Sequence, residues 1–242
     1  MKYLIKILAT LSIVIISLFV YSCGTTHSIR DDIIYKDDNF TYNQLMNSGV
    51  VIGGIASREI NFSNEERIDY NSHFTTSMFK ELKGVHIFSN SQFINKIGKE
   101  NYFIIMEEFD FERVIYNEDM VAIKESIPEK EYIIFAYIDS ENTRDESYTE
   151  QTTDKEGKYK TVYKTTYTIA VEFQIYDLFR EQMVWNNMLF NEAVKTQNRE
   201  EDSMFGVVTG DVISSAIVEI DREDVLAKIY EKFAQDLSEV NN

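Results

Sequence analysis

At residues 132–138 the sequence reads YIIFAYI, a run of β-branched and aromatic side chains without a charge. Seven residues is an ordinary strand length, and the lack of polar alternation is typical of a strand that is buried on both faces. The sequence therefore predicts a central strand here, and the neighbouring elements are assigned outward from it.

A long β-hairpin is predicted directly downstream, with its turn at Gly157. Residues 159–167 carry tyrosine or threonine at every odd position, whereas lysine or valine occupies positions 158, 160, 162 and 164. Strict period-two alternation beside a glycine-containing turn is typical of a hairpin. Further strands are predicted at 169–176 and 182–193, joined by a turn at 177–181, so this half of the sheet should be antiparallel.

Upstream, the first strand is predicted at Val50–Ile55, ending in a tight turn at Gly53 and Gly54. A helix should follow, because Ser63 is a good N-cap and acids occupy the next turn. Its expected buried face is Ile68, Phe74, Met78, Phe79 and Leu82. Shorter helices are predicted from about residue 90, with an interruption at Gly98, and at 117–123.

The C-terminal region contains two helical patterns. Residues 221–237 place Val225, Leu226, Ile229, Phe233 and Leu237 on one face, which predicts an amphipathic helix. Met204–Ile220 also has apolar residues at helical spacing, despite two glycines. The predicted fold class is therefore α+β (an α/β sandwich), with a mixed sheet, an antiparallel C-terminal half and helices packed on the sheet.

Composition restricts the class of partner. The 242-residue chain has a formal net charge of −17, and removing residues 1–22 with their two lysines would make it −19. Such a chain repels nucleic acid phosphates, so nucleic acid binding is not expected. The 15 Tyr and 16 Phe indicate a packed core rather than a disordered chain.

The N-terminus has the pattern of an export signal. Two lysines precede an apolar run over 7–20, which is shorter than the roughly 20 residues of a membrane-spanning helix. The run ends in Val20-Tyr21-Ser22-Cys23, which resembles the lipobox of bacterial lipoproteins, although Tyr21 is larger than the usual residue. Cys23 is the sole cysteine of the sequence, and lipidation would account for an unpaired cysteine in an exported chain.

This resemblance implies cleavage before Cys23, a diacylglyceryl thioether on its sulfur and an N-acyl chain such as palmitate. We expect a signal peptide over 1–22, a lipidated polar tether over 23–47 and a single domain over 48–242. Gly24 stands where inner-membrane lipoproteins typically have aspartate. The periplasmic face of the outer membrane is therefore favoured over the inner membrane or the cell surface.

Three segments resemble a family of envelope proteins that includes CsgG, LpoB and the N-terminal domain of TolB. They are the strand at 50–55 after a lipidated tether, the acidic helix at 117–122 leading into the strand at 131–138, and 173–185 with its Asp177 turn and Val184-Trp185 strand. The resemblance covers about residues 48–238, and its motifs concern the fold. It implies an envelope protein as partner.

Catalytic and metal-binding motifs are absent from the sequence. Only three histidines occur, no metal-ligand spacing or nucleophile elbow is found, and adjacent acids such as Glu107 and Glu108 are typical of solvated surfaces. His73 follows Asp69 at ion-pair spacing on the first long helix. We therefore expect no enzyme activity, no catalytic residue, no metal and no cofactor other than the covalent lipid.

The function expected from these features is a non-enzymatic binding or scaffolding module, anchored at Cys23 and presented to another envelope protein. The candidate contact surface is Tyr159, Tyr163 and Tyr167 on one face of the hairpin, since tyrosines are enriched at interfaces. The alternative is a subunit of a CsgG-like outer-membrane secretion channel, with Met204–Ile220 as its wall. The sequence leaves the oligomeric state open.

Overall fold

The computed structural model describes residues 25–57, 59–60, 62–151, 159–200 and 219–240. Within them the chain forms six helices and one six-stranded mixed sheet, which confirms the predicted α+β class. The strands are β1 (Thr26–Lys36), β2 (Val50–Ser57), β3 (Ile87–Phe88), β4 (Tyr132–Gln151), β5 (Tyr159–Asp177) and β6 (Gln182–Glu200). The helices are α1 (Tyr42–Ser48), α2 (Asn64–Glu81), α3 (Asn90–Ile97), α4 (Lys99–Glu112), α5 (Asn117–Ser126) and α6 (Arg222–Ser238).

The strand order is β1-β6-β5-β4-β2-β3. β2 is parallel to both neighbours, with Val50 opposite Ile87 on β3 and Tyr132 on β4. Between β4 and β5, Thr165 Oγ1 donates to Asp145 Oδ1 at 2.7 Å and Thr168 Oγ1 to the Asn142 carbonyl at 3.5 Å. Residue numbers rise on one strand as they fall on the other, which is antiparallel pairing.

The chain divides into two compact units. Among the described residues, one groups 25–27, 143–151, 159–167, 193–200 and 219–220, and includes the distal part of the β4–β5 hairpin. The other groups 28–142, 168–192 and 221–242, and contains all six helices. The sequence predicted a single domain over 48–242.

The sequence predicted that β2 would end in a turn at its two glycines, but it does not. The strand continues to Ser57, with an irregularity in register between Ile52 and Gly54. A Cβ on Gly53 would lie 2.5 Å from the Phe135 ring, and one on Gly54 would lie 2.5 Å from Tyr102 Oη. The glycines therefore allow neighbouring side chains to approach a bulged strand closely, which is a known use of glycine inside strands.

Two apolar clusters cover opposite faces of the sheet in the larger unit. On one face, Phe173 of β5 stacks on Phe233 of α6 with centroids 4.0 Å apart. On the other, Phe135 of β4 contacts Phe109 of α4 at 5.3 Å and Tyr176 of β5 at 6.2 Å. Side chains alternate between the two faces of a strand, so residues 173 and 176, three positions apart, project from opposite faces of β5.

The segment expected to be a polar tether is structured from Thr26 onward. β1 pairs at the edge of the sheet beside β6, and Thr41 begins α1 with a capping box to Gln44. Phe40 is fully buried against Tyr132 and Trp185. This segment is polar although it is structured, because β1 is an edge strand and needs little apolar surface.

Two predicted features lie outside the described residues. They are the turn of the long hairpin around Gly157 and most of the helix expected over Met204–Ile220. The helices at 64–81, 90–97, 99–112, 117–126 and 222–238 agree with the sequence predictions.

Candidate functional site

The lipidation motif is not described by the structure. Val20, Tyr21, Ser22 and Cys23 all precede the first described residue, Thr25. Lipidation of Cys23 therefore stays a prediction from the sequence.

The predicted tyrosine surface of the hairpin is only partly accessible. Tyr167 is 5% exposed and Tyr163 is half-buried. Tyr159 begins β5, and its side chain is outside the described part of the structure. Tyr167 is consequently a packed residue rather than a contact residue, because a partner could not reach its ring. Contact through Tyr163 stays a prediction.

The other face of the hairpin carries charge. Arg144 pairs with Glu146 at 2.5 Å, and Lys164 lies 4.0 Å from the same carboxylate. Tyr148 is an exposed aromatic on this strand. Exposed ion pairs of this kind contribute little to stability. This face is not solvated throughout, because Val162 on it is buried.

The feature that the sequence analysis missed lies on α2. Ser63 caps this helix and forms a capping box with Glu66, as its sequence predicted. Phe74, Met78 and Leu82 are buried as expected, but Ile68 is 41% and Phe79 is 56% exposed. These two side chains were predicted to belong to the core, and the structure places them at the surface.

Ile68 and Phe79 border a groove between α2 and α3. They are eleven residues apart, which is close to three full turns, so they project from the same side about 16 Å apart along the helix axis. The groove encloses about 370 Å³, and half-buried Ile94 of α3 lies within it. Its remaining lining, among the described residues, is serine, threonine and asparagine, and none of the lining residues is ionisable.

The floor of the groove is held by two buried asparagines. Asn71 of α2 donates to Tyr102 Oη at 2.7 Å and accepts the Ile55 amide at 2.7 Å. Asn90 of α3 donates to the Gly53 carbonyl at 2.6 Å and lies 3.2 Å from the same phenol oxygen. Both helices are thereby fixed to the bulge of β2, so the groove is a preformed feature.

Burial keeps the phenol at the centre of this network neutral. It raises the pKa of Tyr102 to about 12, because the charged phenolate would be desolvated. The asparagine amide groups are satisfied by this phenol and by the backbone of β2, so the floor has no titrating group near neutral pH. The groove suits apolar contacts rather than proton transfer.

A second cleft of about 410 Å³ lies at the end of β2, between α2 and α4. Exposed Glu107 lines it, and its other two charged residues, Arg67 and Asp110, are committed to the fold. Arg67 donates to the Ile55 carbonyl at 2.7 Å and pairs with Asp110 at 2.5 Å, while Asp110 accepts the Ser57 amide at 2.9 Å. This ion pair fixes the end of the strand, so it is not free to bind a ligand.

The groups that could support catalysis or metal binding are dispersed. His73 pairs with Glu223 of α6 at 2.9 Å, rather than with Asp69 as its spacing suggested. Within the part of the chain that the structure describes, no cluster of three His, Cys, Asp or Glu residues could hold a metal ion. None of the helices described is both long enough and apolar enough to span a membrane.

No family model matches the sequence, and no curated protein matches it either. Several solved structures are similar. The PelC dodecamer of Paraburkholderia phytofirmans has 10% identity and a TM-score of 0.31, covering 85% of this chain and 96% of that one. Lipoprotein GNA1162 of Neisseria meningitidis has 9% identity and a TM-score of 0.30, covering 69% and 93%. The LpoB C-terminal domain of Salmonella enterica has 7% identity and a TM-score of 0.31, covering 68% and 99%.

These similarities are too low to assign the chain to a family. The specific resemblance to CsgG and TolB stays a prediction from the sequence.

Proposed function

We propose that this protein is a lipid-anchored, non-enzymatic binding module of the bacterial envelope, and that it docks an apolar segment of another envelope protein in the α2–α3 groove. The observation that supports the proposal most directly is the exposure of Ile68 and Phe79 along the α2 side of a groove whose lining residues are all uncharged. Exposed apolar surface beside a polar rim is typical of an interaction site.

The chemistry of the groove restricts the partner segment. A charged side chain placed there would lose water without meeting an opposite charge, which is unfavourable. An amphipathic helix with apolar anchors spaced by three to four residues would fit between two such helices. The surrounding negative charge would disfavour an acidic partner, since the whole chain carries −17.

The anchor would place the start of β1 close to the membrane. Only Gly24 and Thr25 separate Cys23 from the first residue of β1, a distance of at most about 10 Å in extended chain. A domain on such a short connection would meet partners near the membrane surface, and the periplasmic face of the outer membrane is the location that we favour. This differs from the 25-residue tether that the sequence suggested.

Site-specific photo-cross-linking tests the docking site. A photoreactive phenylalanine analogue would replace Phe79, and the matched control would replace Phe179, which is 51% exposed in the β5–β6 turn. We expect a covalent adduct with one envelope protein from position 79 and none from position 179.

A competing substitution makes the test specific. Ile68→Asp should abolish the adduct at position 79, whereas Val121→Asp on the exposed side of α5 should leave it unchanged. Unchanged melting temperatures would show that both variants fold. Equal adducts from positions 79 and 179, or an adduct that survives Ile68→Asp, would reject the groove as the docking site.

A further inference from the structure

β1 is an edge strand with an exposed apolar centre. It is terminal in the strand order, so one of its sides is unpaired in the described sheet. Ile33, Ile34 and Tyr35 are 49%, 56% and 44% exposed. Natural edge strands are usually short, bulged or broken by charge, because an open apolar edge pairs with other chains. β1 has eleven residues and no proline.

The charges of β1 flank this apolar centre with opposite signs. Residues 32–36 read DIIYK, with Asp32 on one side and Lys36 on the other. No ion pair of Asp32 or Lys36 is found among the described residues, and Lys36 lies 6.0 Å from the Trp185 ring. In an antiparallel pair of β1 strands, Asp32 of each copy could therefore lie opposite Lys36 of the other.

We propose that the protein self-associates through β1, with two copies pairing antiparallel about a twofold axis at Ile34. In this register Asp32 faces the partner's Lys36 twice, Ile33 faces the partner's Tyr35 twice, and Ile34 faces its own copy. Opposite charges and apolar side chains directly across an antiparallel pair are favourable. The two sheets would form one continuous sheet with the same faces aligned.

Neighbouring registers that keep the faces aligned are less favourable. Centring the axis on Ile33 would place Arg30 opposite the partner's Lys36. Centring it on Asp32 or on Asp31 would place a carboxylate opposite its own copy. Like charges in directly opposite positions are destabilising. Of these four registers, the one centred on Ile34 alone pairs opposite charges within β1 without placing like charges opposite each other. Just beyond β1 it brings Asp31 opposite the partner's Asp37, whose carboxylate is already paired with Arg180 at 2.7 Å.

The pair of strands is short, so the dimer should be weak in dilute solution. A standard stable interface buries about 1,600 Å² in total, and five paired residues on each chain provide less than this. The dimer should therefore appear in sedimentation velocity as a concentration-dependent equilibrium of the full-length protein in mild detergent.

Charge reversal tests the register. Asp32→Lys alone and Lys36→Asp alone should each weaken self-association by about tenfold or more, because each replaces two attractive pairs with two repulsive ones. The double variant Asp32→Lys with Lys36→Asp should restore it. The matched control is Glu125→Lys with Lys36→Asp, which makes the same change in net charge but should not restore it, because exposed Glu125 lies on α5 and not on β1.

Disulfide formation provides an independent measurement. Directly opposite residues have Cα atoms about 4.5–5.5 Å apart, within reach of a disulfide, so Ile34→Cys should cross-link two chains under mild oxidation. Ser28→Cys should not, since its copy would lie roughly 40 Å away. The parent chain, with Cys23 alone, gives the background.

A monomer at all concentrations would overturn the proposal, as would a double charge reversal that stays monomeric. A closed ring of many subunits would also overturn it, because a twofold pair at one edge closes after two copies. None of these results depends on the α2–α3 groove. The proposed binding function would therefore still be tested separately, by the cross-linking experiment at position 79.

Discussion

Tyr102 Oη accepts a hydrogen bond from Asn71 Nδ2 at 2.7 Å, directly beside the bulge of β2 at Gly54. This contact joins α4 to α2, and Asn90 of α3 lies 3.2 Å from the same oxygen. One hydroxyl thus connects three helices beneath the groove. The packing of the Tyr102 ring against Phe93 and Phe103 is independent of that hydroxyl.

Tyr102→Phe should lower the free energy of unfolding by about 1–3 kcal/mol, because it removes the partner of a buried amide without creating a cavity. Urea unfolding measures the loss. Tyr148→Phe on the exposed hairpin is the control and should change stability by less than about 0.5 kcal/mol. Equal small effects at both positions would show that the network contributes little.

Gly54→Ala should be among the most damaging small substitutions in the chain. Gly54 has φ +148°, and its added Cβ would lie 2.5 Å from Tyr102 Oη. We expect a loss of about 3 kcal/mol or more from strain and overpacking together. Gly98→Ala is the control, since Gly98 also has positive φ but nothing lies within 4 Å of its Cβ position. It should lose about 1–2 kcal/mol, and an equal loss at both sites would contradict the contact.

Phe79→Ala and Phe74→Ala should differ sharply, although both residues were predicted to be buried on one helix. Phe74 is fully buried beside Phe173 and Tyr230, so its truncation should cost about 3–5 kcal/mol. Phe79 is exposed, and its truncation should change stability by about 0.5 kcal/mol or less. Thermal unfolding of the two variants tests this difference. A large loss of stability in Phe79→Ala would mean that the Phe79 side chain packs in the core.

The difference between expectation and structure on α2 has a physical origin. Apolar periodicity assigned Ile68 and Phe79 to the core, but Arg67 and Asn71 occupy the buried positions beside β2. They do so because Arg67 bonds to the Ile55 carbonyl and Asn71 to the Ile55 amide. The partners of a buried polar residue are distant in sequence, so a hydrophobic pattern alone could not reveal this rotation of the helix.

Local signals predicted other parts of the fold well. The cap at Ser63, the apolar run over 132–138 and the face of α6 each depend on neighbouring residues, and all agree with the structure. β1 was missed because an edge strand can be polar and needs a partner strand, β6, that is about 150 residues away. The groove was missed for the same reason, since it exists only after α2 and α3 pack together.

Asp37→Asn should make stability less dependent on pH in the acidic range. Asp37 accepts the Asn39 amide at 2.8 Å and pairs with Arg180 at 2.7 Å, and these contacts hold its pKa below the usual 3.8. A carboxylate with a lowered folded-state pKa contributes stability above its unfolded pKa, and that stability is lost as the pH falls through the folded pKa.

Melting temperatures across the acidic range test this assignment. At about pH 7 the variant should melt below the wild type, and the difference should shrink as the pH falls below about 4, where the wild-type carboxylate begins to protonate. Asp38→Asn is the control, because residue 38 is the exposed neighbour of Asp37. Its melting temperature should match that of the wild type both at about pH 7 and below about pH 4. A difference that stays constant with pH would show that charge on Asp37 is not its cause.

Cys23→Ser should abolish attachment of lipid. If the VYSC sequence directs processing, the wild type will incorporate labelled palmitate and its mature chain will begin at residue 23, because the thioether forms only on that sulfur. Two or more acyl chains hold a protein stably on a membrane, whereas one holds it only marginally, so the wild type should resist extraction by salt. Tyr21→Ala is the matched control, since it brings the motif closer to the usual pattern and should keep or increase labelling. An unlabelled wild type, or a mature chain beginning elsewhere, would remove the anchor from the proposed function and leave the groove and the β1 edge to be judged separately.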